Sequence, residues 1–137
     1  RLRGVLQLSL THHAARLQEM QERIVHVEQA IKERNLKTLG PLIEADTISM
    51  HTVMMTSKPP LFYWEPGTIA VMKDVLKWRD EGLHSYFSID AGANVHVICE
   101  QKDAKEIEKR LTAISFVQNT IYNEPGRGVH QISNHLF

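Results

Sequence analysis

The chain has 137 residues, of which 42% are hydrophobic, and this is the size and composition of a single domain with one core. Basic and acidic side chains balance at 16 each, so nothing resembles the basic surface with which duplex-binding proteins contact phosphates. No apolar run approaches the roughly 18 residues of a membrane span. The single cysteine, Cys99, excludes an internal disulfide. We therefore expect a cytoplasmic protein without a nucleic-acid or membrane partner.

Three helices are predicted in the first 80 residues, because apolar side chains recur there at three- and four-residue steps. A short bend is expected in the second helix at Gly40-Pro41, since proline disfavours a helix interior. Gly82 is expected to end the third helix, as a glycine just past a helix C-terminus commonly does. The predicted helices cover about 10–34, 36–54 and 69–80.

The hydrophobic period changes to two after Leu83, which is typical of β-strands. Two strands joined by a tight glycine-containing loop are predicted there, followed by a charged helix that begins at Asp103 and by two more strands. The four predicted strands cover 86–90, 95–99, 116–122 and 129–133. Helices packed on one face of a mostly antiparallel sheet make an α+β fold with a split β-α-β character, here one domain over residues 1–137.

Asp90 is the sharpest candidate for chemistry. It ends an apolar strand and is followed by Ala91, Gly92 and Asn94 in a loop whose small residues let another chemical group approach the backbone. A carboxylate on a rigid strand end can orient or deprotonate a hydroxyl. The alternative is a plain hairpin turn, which the spacing alone favours, because Asp, Gly and Asn are the residues that such turns use.

The other reactive residue types indicate no further site. His12 and His13 are adjacent, so on a helix they point about 100° apart and do not chelate one ion, and we expect no metal site. His51 is interpreted as either a satisfied core histidine or a loop contact. Cys99 has no recognisable histidine partner and is predicted to be an inert small hydrophobe.

A family resemblance follows from the order of these features. The segment Tyr86–Val95 resembles the Asp-Ala-Gly-Pro-Asn signature of diphosphomevalonate decarboxylases, members of the GHMP kinase superfamily. Residues 50–52 (Met-His-Thr) and 59–63 (Pro-Pro-Leu-Phe-Tyr) resemble that family's aromatic-His-Ala segment and the Pro-Pro segment that follows it, at matching separation. Residues 31–36 are similar to the helix end that precedes both. The similarity covers roughly residues 16–100 in register, and the tail follows in pattern only.

The resemblance implies an enzyme of isoprenoid biosynthesis. In that family ATP phosphorylates the tertiary hydroxyl of mevalonate 5-diphosphate, and loss of phosphate drives decarboxylation to isopentenyl diphosphate. The signature aspartate maps onto Asp90. Its implied role is to position the attacking hydroxyl, with deprotonation of that hydroxyl as a further possible part of the role. Gly92 and Asn94 are implied to shape the loop. Arg3 is the implied substrate ligand, in the nearest match to the family's Ser-x-x-Gly-Met segment.

Two departures from the family pattern shape the expectations. The family's ATP loop, catalytic lysine and main substrate arginine lie in an N-terminal domain, and no such motif occurs in this sequence, which begins at Arg1. The resemblance therefore implies a C-terminal half, with ATP and Mg²⁺ bound mainly by the absent N-terminal domain and little activity of its own. Ala93 replaces the family's proline, which we expect to loosen the loop.

Several alternatives remain open at the level of the sequence. A mevalonate 3-kinase or a phosphomevalonate decarboxylase would look alike over this region. A non-catalytic α+β binding or dimerisation module is a third interpretation, because one architecture supports many functions. If an N-terminal domain covers one face, the chain is expected to expose an apolar patch through which it can form a homodimer.

Overall fold

The fold is an α+β arrangement, seen in a computed structural model that describes residues 9–126 and 128. Its helices and strands lie close to the predicted ones, and a single 3₁₀ turn at Gln101–Asp103 precedes the last helix. The elements are α1 (Leu10–Lys32), α2 (Leu36–Met55), α3 (Pro66–Asp80), β1 (Ser85–Ile89), β2 (Val95–Cys99) and α4 (Ala104–Thr112).

Helices α1 and α2 form a tight hairpin. Arg34, between them, adopts a left-handed backbone conformation with φ of 53°, which reverses the chain. The Asn35 side chain then accepts a hydrogen bond from the Thr38 backbone N–H at 3.1 Å and so caps the start of α2. Helix α2 continues through Gly40 and Pro41 without interruption, and the ring of Tyr86 packs directly against Gly40, where a methyl group has no room.

The two strands pair antiparallel, with Phe87 opposite Val97. One face of β1 forms the centre of the hydrophobic core, because Phe87 and Ile89 alternate inward and are almost completely buried. Their main neighbours come from α3, with one contribution from α4. The buried core residues around them are Val71, Val75, Trp78 and Ile107.

The predicted strand over 116–122 is wrong. The chain leaves α4 through consecutive turns, in which Ile114 N–H donates to Leu111 O and Val117 N–H donates to Ile114 O, and no strand follows up to residue 126. Aromatic and β-branched residues such as Phe116, Ile121 and Tyr122 favour strands, but here they are exposed. Among the described residues, no neighbouring strand pairs with this segment. The strand predicted over 129–133 lies outside the described residues.

Candidate functional site

Asp90 lies directly after β1, where the sequence places it. Its side chain is 88% exposed, and Oδ2 lies 3.7 Å from Nε2 of His96, which is itself 63% exposed on the opposite strand. The pairing of Ser88 with His96 brings the histidine next to the end of β1. The carboxylate is therefore open to a ligand and has one imidazole at its side.

The loop between the strands is a hairpin turn, as one of the two sequence interpretations had it. Gly92 N–H donates to the Asp90 carbonyl at 2.8 Å, while Ala91, Ala93 and Asn94 are exposed. A side chain added at Gly92 would meet no atom of the described residues within 4 Å. Packing among these residues therefore does not require glycine there, and they leave the space above the loop open to a ligand.

Polar side chains of α2 cover the outer edge of β1, the edge that β2 does not pair with. Glu44 accepts a hydrogen bond from Phe87 N–H at 3.1 Å, and Thr47 Oγ1 accepts one from Ile89 N–H at 3.4 Å. Their positions three residues apart place them on one face of the helix, and both are buried. They take the place of a neighbouring strand, since an unpaired buried backbone group is costly.

His51 continues this row and contacts the residue that precedes Asp90. Its Nε2 lies 3.2 Å from the Ile89 carbonyl, and since a carbonyl only accepts, Nε2 is the donor. The residue is 1% exposed, and its ring lies against the rings of Tyr63 and Trp64 at centroid distances of 6.0 and 5.0 Å. Both interpretations left open hold, since His51 is a buried, hydrogen-bonded core histidine whose ring also contacts the loop between α2 and α3.

Thr68, near the start of α3, holds the other end of the loop. Its hydroxyl donates to the Ala93 carbonyl at 2.9 Å and accepts from the Glu65 backbone N–H at 3.2 Å. The threonine itself is buried, so both hydrogen bonds are partly shielded from water. Sequence reasoning missed Thr68, although its position three residues after the Glu65 that precedes α3 was a signal for a helix start.

Two further residues were singled out by the sequence, Arg3 as the implied substrate ligand and Cys99 as an inert small hydrophobe. Arg3 lies outside the described residues. Cys99 is half-buried, and burial, followed by the charges of Asp103 and Glu100, raises the pKa of its thiol, which disfavours the reactive thiolate. Within residues 9–126 and 128, no three His, Cys, Asp or Glu side chains form a group that could hold a metal ion.

Two clefts are found on the surface of the described residues. A cleft of about 540 Å³ lies between α3 and the end of α4 and is lined by residues that include Trp78 and Phe116. A second, of about 300 Å³, lies between α1 and α2 beside Ser88. Asp90 lines neither of them. None of the described helices combines the length and hydrophobicity that a bilayer span needs.

Comparison with known proteins gives a consistent family match. The family model described as the mevalonate 5-diphosphate decarboxylase C-terminal domain matches residues 8–133. A phosphomevalonate decarboxylase from Haloferax volcanii is 30% identical over 98 residues, which are 71% of this chain and 30% of that protein.

Solved structures agree with the sequence matches. One match is the mevalonate diphosphate decarboxylase from Enterococcus faecalis, solved in a study of its mevalonate diphosphate mediated ATP binding mechanism. It is 32% identical to this chain, with a TM-score of 0.72, and the match covers 78% of this chain and 33% of that one. MDDEF in complex with MVAPP, AMPPCP and magnesium has the same identity and TM-score, over 78% and 32% of the two chains. This chain thus spans about a third of the length of the proteins that it matches.

Proposed function

The chain belongs to the mevalonate 5-diphosphate decarboxylase C-terminal domain family, and we propose on this premise that it forms one half of an ATP-dependent decarboxylase in which Asp90 is the catalytic carboxylate. The reaction converts mevalonate 5-diphosphate and ATP to isopentenyl diphosphate, ADP, phosphate and CO₂. An N-terminal domain outside this chain supplies the ATP site and the remaining substrate contacts. The cytoplasmic location and a homodimer stay predictions.

The position of the Asp90 carboxylate is the observation that carries this proposal. It stands at the end of a buried strand, is 88% exposed, and has free space above the adjacent Gly92. A carboxylate held in this way can accept the hydrogen bond of the substrate's tertiary hydroxyl and aim the oxygen lone pair at the γ-phosphorus of ATP. Asn94 and Gly92 shape the loop from which the carboxylate projects.

Phosphoryl transfer depends chiefly on positioning and on charge stabilisation. Asp90 supplies the positioning of the nucleophile, and it can take the hydroxyl proton as the oxygen–phosphorus bond forms. The family resemblance places the ATP and Mg²⁺ contacts mainly on the N-terminal domain, so the role that we assign to this chain is the positioning carboxylate. The family structure that contains AMPPCP and magnesium supports ATP and Mg²⁺ as the requirements of the whole enzyme.

The test is turnover by the full-length protein with mevalonate, its 5-phosphate and its 5-diphosphate, with phosphate and CO₂ release measured separately. Decarboxylation of the 5-diphosphate is expected. Asp90→Asn should lower kcat by about 10²- to 10⁴-fold, because general acid–base groups contribute that much. Asp80→Asn, at an exposed carboxylate that ends α3, is the matched control and should keep wild-type turnover. Equal rates in the two variants would remove Asp90 from the mechanism.

Phosphomevalonate decarboxylation is a second candidate, favoured by the Haloferax volcanii relative. It predicts CO₂ release from the 5-phosphate and none from the 5-diphosphate. Formation of ADP without CO₂ would indicate a 3-kinase instead. The absence of turnover with all three substrates would favour a non-catalytic binding or dimerisation module.

A further inference from the structure

Two buried side chains hold the backbone at the two ends of the Asp90 loop, and we propose that both, Thr68 and His51, are positioning residues for Asp90. This inference rests on the proposed function, since it assigns the two residues to the same reaction. Neither touches the space above the loop in the contacts described, so each acts on the carboxylate through the backbone rather than on the substrate.

His51 fixes the entrance to the loop. Its Nε2–H donates to the Ile89 carbonyl at 3.2 Å, and Thr47 accepts from the N–H of the same residue, so both backbone polar groups of Ile89 are held by α2. The peptide plane between Ile89 and Asp90 carries that carbonyl, and its orientation helps to set the direction in which the Asp90 side chain leaves the strand. The rings of Tyr63 and Trp64 restrict the imidazole itself.

Thr68 fixes the exit from the loop. Its hydroxyl donates its one hydrogen to the Ala93 carbonyl at 2.9 Å and accepts a hydrogen bond from the Glu65 backbone N–H at 3.2 Å, so its orientation is determined from both sides. Ala93 stands where the resemblance has a proline, whose ring would restrict the backbone by itself. The threonine supplies a restraint at this position through a hydrogen bond from another helix.

The two restraints act on a short segment. The two anchored carbonyls belong to Ile89 and Ala93, with only residues 90–92 between them, and the Gly92 N–H donates to Asp90 O inside this segment. Loss of either anchor gives this segment more conformational freedom. Misplacement of a catalytic group by about 1 Å can cost on the order of 10²-fold in rate.

The first experiment compares Thr68→Val with Thr68→Ser in the full-length protein. Valine keeps the shape and removes the hydroxyl, whereas serine keeps the hydroxyl. We expect Thr68→Val to lower kcat about 10- to 100-fold with KM for mevalonate 5-diphosphate changed less than about threefold, and Thr68→Ser to recover most of the rate. Thr112→Val is the matched control, because that hydroxyl is exposed on α4 and bonds only its own helix.

His51 is tested in the same way, with His51→Phe removing the donor and His51→Gln retaining one on a flexible side chain. His26→Phe, at an exposed position on α1, is its control. We expect a kcat loss in His51→Phe that His51→Gln partly reverses. If both His51 variants and both Thr68 variants turned over like the wild type, the two residues would not position Asp90.

Amide hydrogen exchange of Gly92, whose N–H donates to the Asp90 carbonyl, gives a readout that does not need activity. Exchange should be about tenfold faster in Thr68→Val than in Thr112→Val, while thermal unfolding reports any general loss of structure. Unchanged exchange would overturn the anchoring of the loop, and faster exchange with unchanged kcat would overturn the positioning role. If the wild-type protein turned over none of the substrates, the proposed function would fail, and the exchange measurement would still decide whether the two side chains hold the loop.

Discussion

The two faces of helix α2 differ in how they bind their neighbours. Towards β1 it presents buried polar side chains, each with a specific backbone partner, including Glu44 on Phe87 N–H and Thr47 on Ile89 N–H. Towards α1 it presents Asp46, which is 38% exposed and pairs with Arg16 and Arg23 on that helix. A buried polar group that loses its partner is expensive, whereas exposed ion pairs contribute little, so the two faces should respond differently to mutation.

Helix α1 shows the same difference from the other side. It packs on α2, and it leaves exposed four large apolar side chains at intervals of seven residues, which are Leu10, Leu17, Ile24 and Ile31. This matches the expected apolar patch, while the homodimer through it stays a prediction. The helix hairpin is thus held by apolar contacts and surface charge. The edge of β1 is held by hydrogen bonds, each of which joins one buried side chain of α2 to one backbone N–H.

The largest expected effect is at Glu44. Glu44→Ala removes the carboxylate that Arg79 and Phe87 N–H share, and leaves both groups without that partner in a buried setting. We expect a loss of about 3–5 kcal/mol in the free energy of unfolding, the range for breaking one side of a buried pair. Urea unfolding measures it. Glu28→Ala, in an exposed pair with Lys32 within α1, should cost less than about 1 kcal/mol, and similar losses in the two variants would erase the contrast between buried and exposed pairs.

Gly40→Ala tests the packing of α2 on β1 without removing a polar group. The added methyl would overlap the ring of Tyr86, which is buried and also has Arg79 Cζ 4.3 Å from its centroid. Overpacking costs about 1–3 kcal/mol, and the better helix propensity of alanine returns about 1 kcal/mol of it. A net loss of up to about 2 kcal/mol is expected in urea unfolding. Gly126→Ala, where a side chain meets nothing within 4 Å, should change stability by less than about 0.5 kcal/mol.

Much of the fold could be predicted from the sequence because it depends on local periodicity. Apolar side chains at three- and four-residue steps located α1, α2 and α3. The change to a two-residue hydrophobic period located β1 and β2 to within one residue. The strand predicted over 116–122 failed because alternation and β propensity report suitability for a strand, and a strand also needs a partner. After α4 the chain forms consecutive turns up to Val117 and does not extend as a strand there.

The candidate site was only half predictable. Asp90 could be found because it sits in a local signature, whereas Glu44, Thr47 and Thr68 could not. Their partners are backbone groups 43, 42 and 25 residues away, and a helical pattern does not show which distant N–H or C=O needs a side chain. His51 was noticed as a buried-face histidine, but its contact with the residue before Asp90 depends on how α2 crosses β1.

Asp46 is expected to show the smallest effect, and its pH dependence sharpens the contrast. Burial raises the pKa of Asp46, but the hydrogen bonds and charges of Arg16 and Arg23 outweigh it, so the pKa lies below its ordinary value of 3.8. The folded protein therefore holds this proton less tightly than the unfolded chain does. The contribution of Asp46 to stability is complete above that ordinary pKa and is lost as the pH falls through the lower folded-state pKa.

Asp46→Asn should accordingly lower the free energy of unfolding by less than about 1 kcal/mol at neutral pH, because the pair is partly exposed. The difference from wild type should shrink on acidification and should be smaller at high salt, where surface charges are screened. Arg23→Gln leaves Arg16 on the carboxylate and should give part of the same acid dependence. A difference that stayed constant from neutral to acidic pH would mean that the charge of Asp46 does not hold the hairpin, which would leave apolar contacts and the hydrogen bond from Arg16 to the Asp46 carbonyl to join α1 to α2.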